Sequence, residues 1–160
     1  MSVILTKITS ALSGDLVFLV VVFAVLFICA MYFGKNQMVS IVLSFYPATL
    51  LYNSFPFINK FIVLTGEKLV ILNKVGIFLI FFVIANFAIR KYISSYNESS
   101  SILKNGGLAF AVLVLLLLFS YSTVSLDIFH NFSGSIDVLF VSADRVFWWN
   151  LAPLAILIFI

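Results

Sequence analysis

The sequence predicts an all-α, polytopic integral membrane protein, and three observations predict it. Of 160 residues, 64% are apolar and only 9% charged, where a soluble chain carries roughly 45–50% and about 25%. A soluble fold of this size must cover its surface with polar atoms, and this composition does not supply them. Long uncharged runs then recur along the chain, separated by short segments rich in Lys, Asn, Ser and Gly. The balance of nine Lys and Arg against six Asp and Glu suits anionic headgroups and is too weak for a nucleic-acid surface. The bilayer is therefore the expected partner, and nucleic acid is not.

The first spanning helix is expected over residues 16–34, which are uncharged and rise roughly 28 Å at 1.5 Å per residue, close to the hydrocarbon thickness. Ahead of it Val3, Ile4, Ile8, Ala11 and Leu12 recur at helical spacing and predict a short amphipathic helix in the interface. Ser13-Gly14-Asp15 then offers a fresh helix start. Gly34 and Lys35 mark a turn so short that the next helix, residues 38–57, must run back antiparallel. Pro47 near its middle frees a carbonyl, so it should face other helices or take help from Ser44 or Thr49. A re-entrant hairpin is the alternative for this stretch, and Asn53 is a further packing candidate.

Residues 61–74 mix Glu67 and Lys68 with Ile and Leu and read as interfacial. The third spanning helix is expected over residues 75–92, with Arg90 and Lys91 snorkelling to the headgroups as interface anchors and Asn86 as its one strongly polar interior residue. Asn105-Gly106-Gly107 reads as the entry to a fourth helix over residues 106–125. His130, Asp127 and Asp137 fall in a polar stretch and read as solvated loop residues. Residues 146–160 carry Trp148 and Trp149, which anchor helices at interfaces. Rising only about 22 Å, this C-terminal segment reads as interfacial or partly inserted, with a thin fifth span as the alternative.

No phosphate loop, HExxH, CxxC or Gly-x-Ser-x-Gly elbow is present in the sequence, so the expectation is a non-enzymatic protein with no catalytic residue, cofactor or metal. Cys29 is a lone cysteine within an apolar run and reads as a small hydrophobe. Ion-coupled transport calls for an ionisable group within a span, and residues 16–34, 38–57, 75–92 and 106–125 hold none apart from Arg90 and Lys91 at one end. Asn86 and Asn53 read as interhelical hydrogen-bonding groups, and Gly34, Lys35, Pro47, Gly106 and Gly107 as turn or packing positions. Broken helices at Pro47 keep a small transporter in view.

Several of these segments resemble the colicin V production protein family of bacterial inner-membrane proteins. Asp15-Leu16-Val17 opens the first helix, Phe33-Gly34-Lys35-Asn36-Gln37 makes a short glycine-bearing turn, and Lys74-Val75-Gly76-Ile77 opens the third helix. The exit Ile84-Ala85-Asn86-Phe87-Ala88-Ile89-Arg90-Lys91 and the entry Leu103-Lys104-Asn105-Gly106 complete the pattern, which covers roughly residues 15 to 126. The chain departs from the family in lacking an arginine before the first-turn glycine and an Arg-Glu pair after it. The resemblance implies four helices, the bacterial cytoplasmic membrane, and a role in toxin production or export and in envelope upkeep. Alternatives are a small accessory subunit of a larger membrane complex, with a homo-oligomer or membrane-protein partner, and a holin-like pore. Cation counts on the two sides nearly tie, and the lean is toward both termini outside.

Overall fold

A computed structural model of the chain describes residues 2–58, 66–93, 101–123 and 142–159. Among the described residues there are five helices and no strand: α1 (Ser2–Phe33), α2 (Lys35–Ser54), α3 (Glu67–Tyr92), α4 (Ile102–Thr123) and α5 (Ala143–Phe159). Three stretches are long and apolar enough to cross a bilayer, Gly14–Phe33, Leu69–Tyr92 and Ile102–Thr123. The chain is a multi-pass membrane protein. His130, Asp127 and Asp137 lie outside the described residues.

Helix boundaries depart from the sequence reading in one consistent way: the helices begin earlier. α1 starts at Ser2 and runs unbroken through Gly14, so the separate interfacial helix and the restart at Ser13-Gly14-Asp15 do not form. A single interior glycine costs only about 1 kcal/mol, too little to stop a helix with apolar sequence on both sides. α3 starts at Glu67, not at residue 75, and carries Lys74 inside it. A lysine does not interrupt backbone hydrogen bonding, and its long stem reaches polar surroundings from within a helix. α4 starts at Ile102, so Asn105, Gly106 and Gly107 sit within the helix and not at its entry. Pro47 lies inside α2, which is continuous around it; the hairpin alternative is thereby removed. The neighbouring hydroxyls bond other carbonyls, Ser44 Oγ that of Ser40 at 2.5 Å and Thr49 Oγ1 that of Phe45 at 2.8 Å.

The one-residue joint between α1 and α2 rests on Gly34, whose φ of 79° and ψ of 168° lie in a region essentially reserved for glycine. Its N–H closes the end of α1 on the Ala30 carbonyl at 3.1 Å, and its own carbonyl accepts from Met38 N–H at 3.2 Å. Both helices are thus capped through a single residue.

α2 and α4 form the middle of the bundle. α2 packs against α3, α4 and α1, while α4 packs against α1, α5 and α2. Ring pairs set the register. Phe45 meets Phe82 at 5.1 Å and Tyr52 meets Phe78 at 6.2 Å, so α2 and α3 are antiparallel. Phe119 of α4 stacks on Phe78 at 3.7 Å and stands edge-on to Tyr52 at 5.9 Å, which ties the same ends of α2, α3 and α4 together. At the other end Gly106 lies against Phe27, with 3.6 Å between an ideal Cβ and the ring, so α1 and α4 are antiparallel. In lipid such packing supplies stability by dispersion and shape, since hydrocarbon offers apolar side chains no reason to leave it.

Candidate functional site

Polar groups inside the bundle gather on α2. Ser40 and Ser44 are one helical turn apart and fully buried, and i, i+4 spacing puts both on one face. Across from them Asn86 of α3 donates through Nδ2 to Ser40 Oγ at 3.3 Å and to Ser44 Oγ at 3.2 Å. The sequence singles out Asn86 but not its partners; the Ser40–Ser44 spacing was the signal that could have found them. A second tie joins Tyr46 of α2 to α5, its hydroxyl donating to the Asn150 carbonyl at 2.8 Å. The Asn150 side chain turns back to the Val146 carbonyl at 2.9 Å, and Pro153 of α5 is fully buried.

Beside Asn86 a groove of about 730 Å³ opens between the start of α2 and the end of α3. Its floor is Ile41, Phe82 and Asn86, its flanks include Phe33, Val83 and Phe87, and Gln37, Arg90 and Lys91 stand at one end. A smaller hollow of about 210 Å³ continues past that end and shares Phe33, Gln37 and Arg90, adding Asn36 and Ile93. The concavity is therefore apolar along its length and cationic at its mouth. A second hollow of about 240 Å³ lies between α2, α4 and α5, reaching Tyr46, Thr49, Asn53 and Asn150.

Protein-family models, curated proteins and solved structures give no match to this chain. The site is accordingly read from its own residues.

Of the positions singled out in the sequence, Asn86, Arg90 and Lys91 come together in the groove, with Gly34 as the joint and Lys35 opening α2 just before Asn36 and Gln37. Lys35 is half-buried and has an interaction partner. Arg90 and Lys91 are exposed. Pro47 is half-buried within α2, Asn53 is exposed near its end, and Gly106 and Gly107 are half-buried on α4. Trp148 is exposed and Trp149 half-buried, as expected of consecutive helical residues that point about 100° apart. Two buried polar residues escaped the sequence reading. Asp15, which the sequence reads only as part of a helix start, is 3% exposed and has a partner. Asn105 is buried, and its Oδ1 has no hydrogen-bond partner among the described residues. Among the described residues no three His, Cys, Asp or Glu side chains converge.

Proposed function

We propose that the chain is a non-enzymatic protein of the bacterial cytoplasmic membrane with an envelope- or secretion-related role like that of the colicin V production family, built on four spans. The observation that carries the fourth span is the antiparallel register of α2 with α3. Ser40 lies level with Asn86, and Tyr52 level with Phe78, so α2 follows α3 through the same depth. Its polar residues are accommodated because three helices surround it. α5 is partly inserted, since Asn150 is bonded to Tyr46 midway along α2, and the end of α3 bearing Arg90 and Lys91 faces the cytoplasm. The non-enzymatic reading is supported by the use made of the polar groups: Asn86, Ser40, Ser44 and Tyr46 bond to one another or to backbone, as adhesive contacts between helices do.

Two measurements test this. Single cysteines at Asn36 and Phe57, labelled in intact cells with a membrane-impermeant maleimide, should react from opposite sides; labelling of both from one side removes the fourth span. Deletion of the gene in its own host should lower export of a small peptide toxin and make the envelope more permeable to a membrane-excluded dye, and a strain unchanged in both removes the envelope role.

A second reading, an accessory subunit, is favoured by the outer flank of α1. Within the Gly14–Phe33 span only Asp15 and Ala30 are buried. A fixed-ratio chain that copurifies in mild detergent and cross-links to Ile28 supports the subunit reading; a particle of this chain alone supports the first.

A further inference from the structure

The groove between α2 and α3 has the polarity sequence of a lipid. Arg90 and Lys91 close one end of a candidate span, Leu69–Tyr92, which is the level of headgroups, where long cationic side chains come to rest. Phe82 lies eight residues deeper on the same helix, so the apolar trough beneath the cations is about 12 Å long. Among the described residues neither the groove nor the hollow adjoining it is lined by a carboxylate. Two cations and the amide of Gln37 therefore converge on one mouth, and a guanidinium offers paired donors that match a phosphate.

We propose that this groove binds one anionic phospholipid, with its phosphate on Arg90 and Lys91 and the upper part of an acyl chain along Ile41, Phe82 and Val83. The charge argues for the anionic lipid over a zwitterionic one. The trough argues for a held lipid over general attraction to a charged surface, since two cations on a smooth helix end would attract headgroups without retaining any molecule. The volume falls within the usual range for small-molecule sites, roughly 300–1,000 Å³. Asn86 forms part of the floor and is held by Ser40 and Ser44, so the hydrogen bonds that join α2 to α3 also fix the trough's shape. The proposal goes beyond the envelope role and requires only that α3 crosses the membrane.

The test is native mass spectrometry of the full chain released from nanodiscs containing equal parts phosphatidylglycerol and phosphatidylcholine. One phosphatidylglycerol per chain should be retained in preference to phosphatidylcholine. A surface cation contributes about five-fold to binding an anionic membrane, so Arg90→Gln combined with Lys91→Gln should lower retention about 25-fold. Arg90→Lys keeps the charge and should retain most of the lipid, which separates loss of charge from loss of fold. Ile41→Trp fills the trough with both cations intact, and it should also expel the lipid. Equal retention of the two lipids overturns the proposal, as does undiminished retention in either the double variant or Ile41→Trp. Displacement of the phosphatidylglycerol by millimolar inorganic phosphate would make this a free-anion site instead. Efficient disulfide cross-linking of two Phe87→Cys chains would give the groove to a second copy of the protein.

Discussion

α1 and α2 are joined through one residue, yet the two helices resolve opposite problems. Within α1 the Gly14–Phe33 span is the most apolar of the three candidate spans and buries only Asp15 and Ala30, with Leu16, Val17, Val20, Val21, Val25 and Ile28 all more than half exposed. α2 has Ser, Asn, Gln and Thr along its length and buries Met38, Ser40, Val42, Ser44, Phe45, Ala48 and Tyr52. In water this arrangement would be inverted. In hydrocarbon a leucine gains nothing from leaving the solvent, whereas a serine or asparagine gains a partner it cannot find in lipid. Inside and outside are therefore sorted by the need for hydrogen bonds and for close contact, not by hydropathy.

The comparison can be broken most severely from the α1 side. Val25→Asp puts a carboxylate on the lipid face near the middle of the span and should cost about 3 kcal/mol of membrane insertion, visible as a lower inserted fraction in a translocation assay; Val25→Leu should insert as the parent does. Phe119→Ala removes the ring between Phe78 and Tyr52. It should lower resistance to unfolding in mixed detergent by about 2 kcal/mol, less than the roughly 3–5 kcal/mol of a water-soluble core, because only packing is lost and no transfer from water. Gly34→Ala imposes a Cβ on a backbone angle that resists one and should cost about 1.5 kcal/mol in the same titration.

Smaller effects sharpen the contrast within α2 and α4. Asn86→Ala forfeits two hydrogen bonds and should cost about 1 kcal/mol, given an average near 0.6 kcal/mol for such bonds between membrane helices. Equal destabilisation by Ser40→Ala paired with Ser44→Ala, with no further loss in the triple variant, would locate the whole effect in that contact. Asn105→Leu is expected to be neutral or stabilising by about 0.5 kcal/mol, since the buried Oδ1 it removes is unpaired among the described residues and an apolar replacement of similar shape leaves no partner stranded there.

The helices were legible in the sequence because uncharged length is a direct requirement of the bilayer. Their starts were not. Gly14, Lys74 and Asn105-Gly106 read as interruptions, yet each sits inside a helix, because backbone hydrogen bonding between neighbouring turns continues through a glycine or a snorkelling lysine. Asn86 was legible as a polar residue in an apolar run. Its partners were not, because a serine looks unremarkable until a second helix is laid against it. The groove was still less accessible: it is made of α2 and α3 together, and nothing in either segment alone states how far apart they stand at Arg90 and Gln37. Asp15 shows the same limit, since its burial depends on neighbours that its local sequence does not name.

The single-residue joint at Gly34 has a consequence for how the protein is made. A tether this short keeps α2 beside α1 at very high effective concentration from the moment both have been synthesised. The polar helix therefore has one neighbour from the start, while α3 and α4 supply most of its packing. A flexible insertion at residue 34 would lower that effective concentration and leave α2 longer without a neighbour in the membrane, while the Ser40 and Ser44 hydroxyls wait for Asn86 of α3 in either case.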